Sequence, residues 1–270
     1  MTFDVATYQA VMKELEKYLT KLRNSISIEI PDALEVAKNL PFISLIPGQI
    51  QLLEWCATLM VDVCEWLLEK LLEILKGMLA PYYMYMRSRD WNDVRATVTS
   101  VQSTVDPNNL AAVRLWKGTA QQSYMRTATT QSAAAGKIGE VADKTKTALL
   151  QSAAAGLVFY IAIALVVQKF LSALALDIGL MAAGFTAAGG VADFLKTTGL
   201  TTAQITAAVA ALGVIIGQQG TALSDLEGLK SDNGTFPDGA DGKPVWPDSL
   251  ASTFSDASVD GDGESKWRLN

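Results

Sequence analysis

Hydrophobic and polar positions divide the chain into stretches of different character. Near the N-terminus the apolar positions are Tyr8, Val11, Met12, Leu15, Tyr18, Leu19 and Leu22, with Lys13, Glu14, Glu16, Lys17 and Lys21 between them. This recurrence at three- and four-residue intervals predicts an amphipathic helix, capped at Asp4 or Thr7 and ending near Asn24. Residues 25–30, Ser-Ile-Ser-Ile-Glu-Ile, alternate instead. No second alternating run exists to pair with them, so an extended connector is expected. Pro31, Pro41 and Pro47 then bracket a short helix over residues 32–39.

Residues 49–79 read as one long, Leu-rich helix. At about 100° per residue, Glu54, Asp62, Glu65, Glu69, Glu73 and Lys76 share roughly 100° of arc, and Lys70 stands apart. A helix apolar over the rest of its circumference is the centre of a bundle or touches lipid. The ionised stripe must reach water, which favours the bundle centre. Pro81 and the aromatic, Met-rich residues 82–87 read as a connection. Asp90 is the expected N-cap of a helix over 91–105, with Asp93 three residues on. Asp106-Pro-Asn-Asn is a turn, and residues 119–150, free of proline and rich in Ala, Gln, Lys and Ser, predict a second helix. The hexapeptide Gln-Ser-Ala-Ala-Ala-Gly occurs at 131–136 and at 151–156. Twenty residues turn a helix by roughly 200°, so the copies face opposite sides and do not form a structural repeat.

Residues 147–168 contain no charge, and two further low-charge stretches follow at 170–195 and 197–224, broken by Asp177 and Asp193. The first is long enough to cross a bilayer. Small residues recur through all three and permit close helix approach. The candidate assembly or membrane surface therefore comprises Leu157, Phe159, Ile161, Gly184, Gly189 and Gly213. Three outcomes stand open: these stretches fold onto the 49–79 helix, pair between subunits, or enter lipid, where Asp177 and Asp193 would be costly at mid-bilayer. From Asn233 periodicity stops and Gly, Asp, Ser and Pro dominate, so an extended acidic tail is expected. Its isolated aromatics, Trp246 and Trp267 above all, are candidate anchors. Asp256 to Glu264 imitates the start of a calcium loop, but Trp267 stands where the closing glutamate belongs, so no metal is expected.

Composition narrows the function. The 270 residues include no histidine, which removes the commonest general base and metal ligand. No phosphate-binding loop, dinucleotide fingerprint, nucleophile elbow or Cys-x-x-Cys is found, so neither an enzyme nor a cofactor is expected. From Ser231 onward eight acidic residues face Lys243, Lys266 and Arg268, leaving −5 of the net −6 in the tail. The nearly neutral body carries no nucleic-acid footprint. Cys56 and Cys64, about 12 Å apart along one helix, are too far apart to bridge and are expected as buried free thiols. The first residues hold no basic region followed by an apolar run, so no Sec-type signal peptide is expected.

One corner carries more specific information. Trp116-Lys117-Gly118-Thr-Ala lies between a helix-and-turn segment and the long Ala/Gln-rich helix. Over residues 90–150 this resembles the WXG-motif family of type VII secretion substrates, small antiparallel helical hairpins with Trp-x-Gly in the turn. The resemblance implies that Trp116 caps the cleft between two helices and that Gly118 makes the turn. It also implies a protein that leaves the cell without a Sec signal and pairs with secretion-system or WXG-family partners. A Tyr-x-x-x-Asp/Glu export signal is missing, for Tyr82, Tyr83, Tyr85, Tyr124 and Tyr160 are followed four residues on by Met86, Arg87, Arg89, Ala128 and Ala164. The expectation is an all-α, elongated helical bundle in four segments: amphipathic helices over 1–89, the hairpin over 90–150, apolar Ala/Gly-rich helices over 151–230 and the acidic tail over 231–270. The expected function is a secretion-associated, homo-oligomeric structural protein at or outside a bacterial envelope. The alternative is a pore-forming-like protein that inserts residues 149–217 into a membrane.

Overall fold

The structure, a computed structural model, describes residues 2–45, 47–115, 117–184, 188–231 and 235–247. The protein is all-α. Its helices are α1 (Val5–Asn24), α2 (Ile30–Lys38), α3 (Gln49–Leu75), α4 (Ala80–Val105), the short α5 (Ala111–Leu115), α6 (Thr119–Ala182) and α7 (Ala188–Ser231). Among the described residues there is no strand, only an isolated bridge between Asp238 and Pro244. The chain packs as two units, Met1–Met84 with Gln151–Gly217, and Tyr85–Leu150 with Gln218–Asn270.

The Asp4 carboxylate caps α1, accepting the Thr7 amide at 2.7 Å. The expected extended connector is instead a π-helical turn, Ser25–Glu29, through which α1 runs on into α2. Two features explain it. The Glu29 carboxylate accepts the Ser25 hydroxyl at 2.6 Å and the Asn24 amide at 3.2 Å, so polar groups that alternate in sequence close one helical turn. Pro31 has no amide hydrogen and its ring crowds the carbonyl four residues back; a widened turn ahead of it relieves both.

The core of the first unit is built from heptad-like spacings. Tyr8, Leu15 and Leu22 of α1 are buried, with Leu53, Cys56, Met60, Cys64, Leu67 and Leu71 of α3 and Tyr160, Ile163, Val167, Phe170 and Leu174 of α6. Alternate steps of three and four residues keep one face of each helix toward its neighbours. Tyr160 joins three elements. Its ring meets Tyr8 edge-on at 6.1 Å, and its hydroxyl donates at 3.2 Å to the Ile74 carbonyl near the end of α3, which also accepts the Gly77 amide at 3.3 Å. Burial, with Tyr160 beside it, pushes the Tyr8 hydroxyl up to about 12. Burial pushes the Cys64 thiol up to about 12 as well, and raises Cys56; both cysteines are free and buried.

Several expectations about α3 and α4 change. The α3 helix stops at Leu75 rather than Leu79, and it buries one seam only: Leu52, Trp55 and Leu72 remain exposed, so it is not a bundle centre. The aromatic residues 82–87 are not a connection but belong to α4, whose first turn accepts Pro81 because the first amides of a helix have no intrahelical partner. Asp90 is therefore mid-helix rather than an N-cap, and its carboxylate accepts from Arg87 at 2.9 Å.

Close approach of α4 and α6 in the first unit depends on Gly156. A Cβ there would stand 2.4 Å from Cγ of Pro81, a rigid ring that cannot swing away. Gly156→Ala is expected to cost about 1–3 kcal/mol of stability, read as a lower urea midpoint at unchanged slope. An unaltered midpoint would show that the two helices separate freely.

In the second unit α4 and α6 run antiparallel. Arg95 reaches Asp143 at 3.3 Å, while Gln102 lies against Gly136 and accepts the Ser132 hydroxyl at its carbonyl at 3.3 Å. The facing side of α6 is alanine, with Ala128, Ala135 and Ala142 buried at seven-residue steps. The described part of the tail touches α6 through Gln131, whose amide donates to the Pro247 carbonyl at 2.7 Å.

Candidate association surface

Charge-free helix on a protein surface is the feature that most needs a physical account, and α7 supplies it. Residues 197–224 contain no charged side chain. Ala and Leu favour the helix by propensity, and a narrow seam packs it. Thr201 and Ile205 are buried, and Ala208 and Leu212 half-buried, at steps of four, three and four. A second seam lies on the far side of the helix, roughly 150° around from the first. Leu200, Ala203, Ala207, Ala210 and Val214 follow steps of three, four, three and four, and all five are exposed. Leu200 is 54% and Val214 62% exposed, although each carries a fully apolar side chain. The arrangement has the spacing of a helix-pairing face with alanine at its centre, where two helices can approach closely.

The expected surface residues distribute differently from the expectation. Leu157 and Phe159 are only 3% and 9% exposed and serve the core of the first unit, flanking the inward face of α6 from its two edges. Ile161 is half-buried. The outward positions of that stretch are Val158 and Leu165. Gly213 is exposed with open space about it, one position before Val214 of the second seam. Gly189 lies in the first turn of α7. Gly184 follows α6 with φ +77°, against Leu40, Phe42 and Ile43. The sequence reading missed Leu200, Ala203, Ala207, Ala210 and Val214. Their seven-residue spacing was the available signal, masked by alanine at three of the five positions.

Gly118 has φ +105°, which favours glycine, and stands between α5 and α6. Trp116, its expected companion, lies outside the described residues, as does Trp267. Trp246 is 41% exposed, and the next residue, Pro247, is held through its carbonyl by the Gln131 amide.

A polar groove of about 420 Å³ is lined by Glu14, Tyr18, Lys21, Glu29, Gln168 and Ser172, among others. Its two carboxylates are already engaged, Glu14 by Lys17 at 2.8 Å and Glu29 by Ser25. Among the described residues no group of three His, Cys, Asp or Glu side chains is placed to hold a metal ion. By length and composition two helical segments, Gln121–Ala182 and Lys196–Val214, are apolar enough to cross a membrane. Compared with known proteins, the chain matches no family model, no curated protein and no solved structure.

Proposed function

We propose that this chain is a non-enzymatic structural protein associated with type VII secretion, which self-assembles through the exposed seam of α7 at or outside a bacterial envelope. The observation that carries the assembly is the seam itself: apolar, charge-free, heptad-spaced and unburied, with a matching seam of the same helix already packed. Leaving such a stripe in water is unfavourable, and a second α7 offers an occupant of the same shape and chemistry. The secretion association rests on the resemblance of Trp116-Lys117-Gly118 and its flanking helices to the WXG-motif family. The test is light scattering of the purified chain over a hundredfold range of concentration. A mass equal to a small integer multiple of 28.9 kDa supports self-assembly, and a strict monomer throughout refutes it.

The second reading is insertion of residues 149–217 into a membrane, favoured by the length and apolar character of the two segments just named. Insertion would have to detach the buried side of α6 from α1 and α3, exposing Phe170, Ile163 and Val167. The assembly reading needs no such rearrangement.

A further inference from the structure

The near-neutral body hides an uneven distribution of charge. Residues 85–150 carry nine Lys and Arg against five Asp and Glu, while residues 248–264 carry five acidic side chains and no cation. Both stretches belong to the second unit. On α6 the positive excess is gathered into a line. At about 100° per residue, Arg126, Lys137 and Lys144 fall within roughly 20° of arc, on the side opposite the buried Ala128, Ala135 and Ala142. Glu140 serves both lysines, at 3.6 Å from Lys137 and 3.1 Å from Lys144. Among the described residues Arg126 has no carboxylate partner, so the line keeps a surplus of positive charge.

The tail is delivered to this same helix. Its described part ends at Pro247, which is buried and whose carbonyl accepts the Gln131 amide at 2.7 Å. Gln131 stands between Arg126 and Lys137 along α6, about a third of a turn around from the line. Beyond Pro247 the acidic residues are Asp248, Asp256, Asp260, Asp262 and Glu264, all at even positions. In an extended chain alternate side chains share one face, so these five would project together. Asp256 to Glu264 spans up to about 29 Å when extended, and Arg126 to Lys144 about 27 Å along the helix.

We propose that the cationic line of α6 is a docking face for an acidic extended segment, and that its occupant is residues 248–264 of the same chain. Charge, length and point of attachment together select this occupant. Exposed ion pairs are individually weak. The tether changes the balance, because it holds the segment beside the line at an effective concentration on the order of millimolar. A free acidic partner must displace the tail first, which makes the tail a built-in competitor for that face. Neither the charges nor the anchor involve the exposed seam of α7, and the two assignments stand or fall separately.

The test uses the full chain, isotopically labelled for amide detection by NMR, with a nitroxide on the exposed position Ala133→Cys between Arg126 and Lys137. Cys56 and Cys64 are buried and do not take the label. At about 0.01 M salt the nitroxide should weaken the amide signals of residues 256–264 by roughly threefold or more. At about 1 M salt, where the Debye length has fallen from about 30 Å to about 3 Å, the signals should recover. Arg126→Gln with Lys137→Gln and Lys144→Gln should abolish the weakening at unchanged helical circular dichroism. So should a tail variant, Asp256→Asn with Asp260→Asn, Asp262→Asn and Glu264→Gln, which leaves the helices untouched and decides the matter if the first variant fails to fold. Tail signals indifferent to the nitroxide at low salt overturn the proposal, as does weakening that persists in the tail variant or at about 1 M salt. In a mixture, isotopically labelled chains without nitroxide should keep their tail signals beside nitroxide-bearing chains. Weakening there would seat a second copy's tail on the line and overturn the assignment to the same chain.

Discussion

Phe170→Ala is expected to lower the stability of the first unit by about 3–5 kcal/mol, enough to remove much of what a marginally stable domain has. The ring is 1% exposed, the largest of the fully buried side chains, and it continues the inward face formed by Ile163, Val167 and Leu174. Truncation leaves a cavity that helices pinned elsewhere cannot close. One of those pins is Tyr160, held to Tyr8 and to the Ile74 carbonyl. Urea unfolding followed by circular dichroism checks it. Leu165→Ala, a similar truncation on the outward side of the same helix, should cost well under half as much. Equal costs would mean that the inner and outer faces of α6 have been assigned the wrong way round.

The second large effect concerns association. Ala203→Glu with Ala210→Glu puts two carboxylates into the centre of the exposed α7 seam. Both positions already face water in the isolated chain, and glutamate is nearly as good a helix former as alanine, so the fold should be retained. Between two copies the same carboxylates would be desolvated against one another, and the assembly should dissociate to monomer. Sedimentation velocity at equal protein concentration compares the two proteins. Glutamates placed at Thr202 and Val209, on a different side of the helix from the seam, should leave the mass unchanged. Dissociation by those instead would move the interface to another side of α7.

Helix type and inward faces were legible where polar and apolar residues alternate at the helical period with strong contrast. The α1 positions are the clearest case, and the Asp4 cap followed from the same stretch. Legibility failed where local chemistry and period conflict. Residues 25–30 alternate as a strand does, yet side-chain bonds to Glu29 and the demands of Pro31 close a π-turn there. The start of α4 was hidden because Pro81 reads as a breaker, while at the opening of a helix it costs no hydrogen bond. The α3 helix looked buried all round because composition counts apolar residues without saying whether a neighbour covers them. Trp55 and Leu72 have none sufficient to bury them.

The association surface was located by stretch but not by residue. Glycine and the most hydrophobic run drew attention to Leu157, Phe159 and Gly184. Burial assigns Leu157 and Phe159 to the core, and Gly184 to a packed turn. Alanine carries too small a signal for its heptad spacing in α7 to stand out from a helix made largely of alanine.

Covalent capture of the seam tests the central claim most directly. The variant Ala207→Cys with Ala210→Cys presents thiols at adjacent core positions of the exposed face, so that parallel and antiparallel pairing can each bring two together. The native Cys56 and Cys64 are buried and remain silent. Mild oxidation of the folded protein at micromolar concentration should yield a disulfide-linked dimer in high proportion, with Glu16→Cys giving little. A chain that stays uncrosslinked at positions 207 and 210, or crosslinks no faster there than at position 16, would contradict assembly through α7.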